Sequence, residues 1–276
     1  MGQVKKQLNN THQEDNVVLK SILEIVLADE ETKDVNPKNL SDILTASNYL
    51  EMRGKEKDGY VVKLNKYPSG WEITYIPTKD KAILDKRSSL FKVLGEEGRD
   101  LKASIDNFFL KTEKRKKALH YAKAMIKDLL EGNEVRGLYL HSSQFQIGKT
   151  YLANAIVNEL ADKGKTGVIL FAPSWARIAK DFENEPRIRE LKAADVVVID
   201  DIGAEYRSEW FRTEILVPVL NARLQMKKLT IFTSNHSIIG LKEHYNELSK
   251  TRGETKDLER LVSRIYELAD EVELDE

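Results

Sequence analysis

The sequence predicts an α/β fold built on a parallel sheet, with a small N-terminal α+β domain, and three runs predict it. The apolar stretch Gly137 to Leu140 passes through a polar loop into Gly148-Lys149-Thr150, then into a segment with Leu152, Ile156 and Leu160 on one helical face. Val196 to Ile199 are four consecutive β-branched residues ending in Asp200-Asp201, the pattern of a strand buried on both faces. Leu229-Thr230-Ile231-Phe232 is a further strand-like run that turns abruptly polar at Thr233-Ser234-Asn235. Strands separated by helical stretches are the signature of α/β units.

From the N-terminus, Val17, Val18, Ile22, Ile25 and Val26 recur at helical spacing, and a second helix begins after Pro37 with Leu40, Ile43, Leu44 and Leu50. Tyr60 to Leu64 and Trp71 to Ile76 are strand-like, and Tyr67-Pro68-Ser69-Gly70 is the turn of a hairpin between them. From Ile83 to Leu110 apolar pairs alternate with charges. Leu90, Phe91, Val93, Leu94, Phe108 and Phe109 are too apolar for a free linker and predict a tether docked on the larger domain. Lys114-Arg115-Lys116-Lys117 then opens a helix with Ala118, Tyr121, Ala122, Met125 and Ile126 inward; the basic run is a solvated face or a phosphate contact.

Strand, polar loop, Gly-Lys-Thr and helix follow each other in the order that phosphate binding demands. Loop and helix N-terminal N–H groups supply partial positive charge, a Lys ammonium reaches terminal phosphates, and a Thr hydroxyl can ligate Mg²⁺. The loop departs from G-x-x-x-x-G-K-[ST], because Ser143 takes the first glycine position and Gln146 stands where many such loops carry glycine. Residues just past a strand's carboxyl end project into the crevice where open α/β sheets bind ligands. Asp200 is thereby placed to hold Mg²⁺, and Asp201 to orient or deprotonate an attacking water. Asn235 can hydrogen-bond that water or the terminal phosphate, the part called sensor I, or it is simply a residue suited to a tight turn.

Composition bounds the function classes. With 276 residues and 41% hydrophobic content the chain can build one substantial domain and a small companion. A net charge of −1 gives no bulk attraction to nucleic acid, so DNA contact needs a local patch. No cysteine is present, which excludes disulfides, thiolate zinc sites and cysteine nucleophiles. No apolar run reaches the ~18 residues of a membrane span. MGQVKKQLNN lacks a signal-peptide core, and Lys6 occupies the Ser/Thr position of a myristoylation motif. These features predict a soluble, cytoplasmic protein with no membrane partner.

Four runs carry a family resemblance: GLYL with GKTYLANAIVNEL, VVVIDDIGAE followed by Trp210, Arg212 and Glu214, VLNAR ending at Arg223, and IFTSN. Gly137 to Ala269 resembles the ATPase domain of DnaI/DnaC-type bacterial replicative helicase loaders, with a weaker similarity to IstB transposition ATPases that share the core. The resemblance implies an AAA+ domain with strand order 5-1-4-3-2, assembled onto a hexameric replicative helicase. It implies ATP bound by Ser143, Gln146, Ile147, Gly148, Lys149, Thr150 and Tyr151, and Mg²⁺ held by Thr150 and Asp200. Catalysis falls to Asp201 and Asn235, with Arg264 reaching a neighbouring subunit's ATP and Arg260 paired with it at i, i+4. Alternatively, that pair is an exposed basic face balanced by Glu259 and Glu267. The chain continues from Arg264 into the acidic ELADEVELDE, with no lid domain expected.

The resemblance also divides the chain into a helicase-binding domain at 1–85, a tether at 86–115 and the ATPase at 116–276. Many relatives carry cysteine-ligated zinc near the hairpin; LEMRGKEKDGY has no cysteine, so zinc is not expected. After a strand at 168–172, the segment from Pro173 to Phe182 mixes basic and aromatic residues. Arg177, Lys180, Arg187 and Arg189 are the candidate contacts to single-stranded DNA, while Trp175, Ile178 and Phe182 at i, i+3, i+7 either stack bases or pack inward. The implied activity is a weak, Mg²⁺-dependent ATPase stimulated by assembly or single-stranded DNA. It serves helicase loading in replication initiation or restart, with self-association through ATPase domains and contacts to other primosome proteins. An IstB-like transposition ATPase and a nucleotide-insensitive helicase adaptor stand as alternatives.

Overall fold

A computed structural model describes residues 18–95, 99–178, 185–205, 209–248 and 254–275. Two compact units divide between Ile83 and Leu84.

In the first unit, helix α1 covers 18–28, and α2 covers Leu40–Met52. The Asn39 side chain caps α2 by accepting the N–H groups of Ser41 and Asp42 at 3.1 and 3.3 Å. Strands β1 (Tyr60–Tyr67) and β2 (Gly70–Pro77) pair antiparallel with Tyr67 opposite Gly70, so Pro68 and Ser69 form the turn, within the run that predicts it. Asp42 ties helix to hairpin by accepting the Trp71 N–H at 3.1 Å. The core is small: Val26, Val35, Ile43 and Ala46, with Ile22, Leu23, Leu50 and Trp71 packed against it.

Helix α3 (Lys79–Leu90) spans the division and leads into β3 (Phe91–Leu94). The second unit continues with α4 (Glu113–Leu130), β4 (Gly137–His141), α5 (Lys149–Asp162), β5 (Gly167–Phe171), α6 (Ala172–Ile178), α7 (Glu185–Ala193) and β6 (Val196–Asp200). A π-helix (Phe211–Leu216), α8 (Val217–Gln225), β7 (Leu229–Ser234), α9 (Ile238–Leu248), α10 (Glu254–Leu268) and β8 (Ala269–Glu273) complete it. The sheet runs β3-β5-β6-β7-β4-β8 with every neighbouring pair parallel. Numbering its five later strands by chain order gives 5-1-4-3-2, the AAA+ arrangement, with β3 added outside β5.

Side-chain alternation explains why these strands are apolar throughout. Val197 and Ile199 of β6 enter one core, with Trp175, Phe211, Ile215, Leu220 and Leu261. Val196 and Val198 enter the other, with Leu119, Leu152, Ile156 and Leu160. Gly137 is required by close approach: a Cβ there would stand 1.7 Å from the Thr230 carbonyl oxygen.

Three findings add to or correct the sequence reading. The stretch after Ile83 contributes β3, and Ala103, Ile105 and Phe108 enter the second core. Arg87 pins this stretch to α5 through Asp162 at 2.6 Å, and its guanidinium holds that carboxyl below the usual range. The acidic tail forms the last strand of the sheet, with Ala269 buried in one core and Val272 in the other while Asp270, Glu271 and Glu273 are exposed. Trp175 is a core residue with 0% exposure, edge-on to Phe211 at 6.1 Å, so it has no face to offer a base.

Candidate functional site

The carboxyl ends of β4, β6 and β7 bring three of the predicted runs together. The loop from Ser142 to Gly148 leaves β4 and enters α5 with Gly148 at φ +98° and Gln146 at φ +56°, both left-handed. A side chain at Gly148 would be strained by its backbone and would lie 3.3 Å from Phe108. Lys149 follows with 8% exposure, its Nζ donating to Asn235 Oδ1 at 2.9 Å and to the Gln144 and Ser142 carbonyls at 3.2 and 3.4 Å. Burial lowers the Lys149 pKa, opposed by Asp201, Asp275 and Asp200.

A continuous hydrogen-bond chain joins the remaining groups. Thr150 Oγ1 donates to Asp200 Oδ1 at 3.0 Å, and Thr233 Oγ1 donates to the same oxygen at 2.5 Å. Thr233 Oγ1 also accepts the Asp201 N–H at 2.8 Å, and Asn235 Nδ2 donates to Asp201 Oδ1 at 3.1 Å. Asp201 is left-handed at φ +57°. Apart from buried Thr233, these groups face an open cavity of about 400 Å³ lined by residues 145–151 together with Phe171, Asp200, Asp201 and Asn235.

The arrangement suits a polyphosphate chain. The N-terminus of α5 and the Lys149 ammonium supply positive charge at one wall. A hydroxyl and a carboxylate 3.0 Å apart, Thr150 and Asp200, fit Mg²⁺, which takes one or two protein oxygens and completes its shell with water and phosphate. The Asp201–Asn235 pair at 3.1 Å supplies an acceptor and a donor across the cavity.

Of the predicted ATP-binding residues, Gln146, Ile147, Gly148, Lys149, Thr150 and Tyr151 line this cavity and Ser143 does not. Ser143 instead faces the chain beyond β8, its Oγ donating to Asp275 Oδ2 at 3.1 Å while Ser142 Oγ donates to the other oxygen. Burial would raise the Asp275 pKa, yet the bonds from Ser142 and Ser143 leave it lowered.

Arg260 and Arg264 share α10 and neither lines the cavity. Arg264 Nε donates to Asn221 Oδ1 at 2.5 Å and Nη1 to Glu267, while Arg260 pairs with Asp257 at 3.1 Å. Arg177 is exposed in the last turn of α6, and Arg187 and Arg189 are exposed on α7. Lys180 and Phe182 lie outside the described residues. The sequence reading missed Thr233, Phe171 and Asp275; an alternating count from Ile231 would have found Thr233 on the face of β7 opposite Phe232.

No protein-family model matches the chain. The chain is 31% identical over 225 residues to the replicative helicase loader DnaI of Bacillus subtilis (strain 168), covering 79% of this chain and 72% of that protein. It is 27% identical over 157 residues to the replicative helicase loader DnaC of Escherichia coli (strain K12), covering 55% of this chain and 60% of that one. A crystal structure of DnaI superposes with a TM-score of 0.60 at 30% identity, over 68% of this chain and 96% of the other.

Proposed function

Since the chain belongs to the DnaI-type family of replicative helicase loaders, we propose that it loads the replicative DNA helicase onto single-stranded DNA in replication initiation or restart, with ATP as the switch. The observation that carries the ATP-dependent part is the hydrogen-bond chain from Lys149 through Asn235, Asp201, Thr233 and Asp200 to Thr150 around one cavity.

In this reading the N-terminal unit grips the helicase and the C-terminal unit binds ATP. Lys149 and the α5 N-terminus hold the terminal phosphates, displacing the Lys149–Asn235 bond. Asp200 and Thr150 would hold Mg²⁺, which would supply charge neutralisation for the phosphate oxygens. Asp201 takes the proton of the attacking water as its oxygen adds to the terminal phosphorus and the bond to ADP breaks, with Asn235 orienting that water. Each subunit's own cavity lacks an arginine among the residues that line it. Arg264, parked on Asn221 and Glu267, is the group a neighbouring subunit would receive, so ATP joins subunits and the isolated chain turns over slowly. The DNA contacts are Arg177, Arg187 and Arg189, with Lys180 proposed from sequence alone; all act on phosphate rather than bases. Contacts to other primosome proteins belong to the same proposal.

Nucleotide affinity with and without Mg²⁺, measured for wild type and Lys149→Ala beside capture of the replicative helicase, tests this. Wild type should bind ATP and helicase, and Lys149→Ala should keep only the helicase. Equal ATP binding by both would overturn it.

A further inference from the structure

Glu205 is a carboxylate with 1% exposure that lies outside the cavity lining. It ends the turn that follows Asp200 and Asp201, and all four N–H groups of that turn are taken. The N–H of Asp201 goes to Thr233 Oγ1 at 2.8 Å and that of Ile202 to the Thr233 carbonyl at 2.9 Å. The N–H of Gly203 goes to Glu205 Oε2 at 2.8 Å and that of Ala204 to the Asp201 carbonyl at 3.2 Å. The turn needs this support, because Asp201 and Gly203 are both left-handed, at φ +57° and +99°.

One other element bonds Glu205 in turn, and a second brings a positive charge near it. Its second oxygen accepts the hydroxyl of Tyr245 from α9. The Arg212 guanidinium, carried by the π-helix, lies 4.4 Å from the Tyr245 ring centroid and is buried at 7% exposure. Burial raises the Glu205 pKa, while Tyr245, the Gly203 N–H and Arg212 all favour the charged form. Single-turn π-helices recur at functional sites, and this one packs beside α10, the helix that carries Arg264.

We infer that Glu205, bonded by Tyr245, is a positioning residue for the metal and water side of the nucleotide site, fixing the turn that aims Asp201 at Asn235. This rests on the nucleotide reading above. Loss of the Glu205 bond leaves the Gly203 N–H unpaired and lets Asp201 leave its left-handed conformation, without touching Lys149 or the phosphate loop.

The test uses the full chain, with a fluorescent ATP analogue titrated in Mg²⁺ and in EDTA, and ATP hydrolysis measured alongside, for Glu205→Met, which removes the acceptor of the Gly203 N–H, and Tyr245→Phe. Affinity in EDTA should stay within about twofold of wild type in both variants, since the phosphate loop keeps its hold on the nucleotide. The gain on adding Mg²⁺ should shrink by roughly threefold or more, and turnover should fall on the order of tenfold to a hundredfold, as for a small misplacement of a reacting group. The inference is overturned if Mg²⁺ gain and turnover match wild type, or if affinity falls in parallel with and without metal, which is what a purely structural role gives. If Glu205→Met does not fold, Tyr245→Phe decides alone, because it keeps the ring against Arg212 and removes only the hydroxyl that bonds Glu205. Wild type that binds no nucleotide in either condition sinks the nucleotide reading itself, and this inference with it.

Discussion

Thr233→Val removes one hydroxyl and leaves the shape of the side chain almost unchanged. That hydroxyl donates to Asp200 Oδ1 at 2.5 Å and accepts the Asp201 N–H at 2.8 Å, at a residue with 1% exposure. An orphaned buried N–H costs about 1–3 kcal/mol, and a broken hydrogen bond to a charged group about 1.5–3 kcal/mol. Asp200 keeps the Thr150 bond at 3.0 Å, so part of the second cost is recovered. A net loss of about 3 kcal/mol follows, which lowers Tm by about 6–12 °C in a domain of 150–250 residues. Thr233→Ser keeps the hydroxyl and loses one methyl, a cost of about 1 kcal/mol. Thermal and urea unfolding of the three proteins at neutral pH should therefore rank wild type, Ser, then Val. The reasoning is refuted if Val is as stable as wild type or if Ser is the weaker variant.

Three further outcomes follow. Trp175→Ala should destabilise by about 3–5 kcal/mol, read from urea midpoints, because it empties a fully buried site against Phe211. Substituting Arg177, Arg187 and Arg189 by Gln should weaken single-stranded DNA binding uniformly across sequences and flatten the slope of log affinity on log salt by about 0.7 for each phosphate no longer neutralised; an unchanged slope removes these residues from the DNA path. Gln146→Gly should relieve a left-handed residue at φ +56° and tighten ATP binding in a titration, by up to about 1–2 kcal/mol if the strain grows on binding; unchanged affinity would show the loop tolerates Gln146 without cost.

The central sheet was legible because burial on both faces leaves no room for polar residues: Val196 to Ile199 divide two and two between the cores, and the sequence shows the uninterrupted run. Lys149, Thr150, Asp200, Asp201 and Asn235 were legible for a related reason, since each sits where an apolar strand or its loop turns polar. β8 was opaque. Ala269 and Val272 enter different cores from opposite faces of the strand, and with exposed Asp270, Glu271 and Glu273 around them no period-two pattern shows in the sequence. The partners of Ser142 and Ser143 were opaque because Asp275 lies over 130 residues away in the chain and meets them only through the pairing of β4 with β8. Trp175 carried core spacing, which favoured inward packing over a stacking platform among its basic neighbours, and its 0% exposure agrees. Thr233 looked like an ordinary strand threonine, and its role came from the Asp200 and Asp201 groups that the topology sets beside it.

Helicase loading itself tests the account most directly. Purified replicative helicase, single-stranded DNA circles and ATP are combined with wild type or Lys149→Ala, and DNA-bound helicase is counted after the free protein is removed. The account predicts loading by wild type with ATP, and loss of loading by Lys149→Ala although it still captures helicase. Loading by Lys149→Ala at the wild-type level would contradict it.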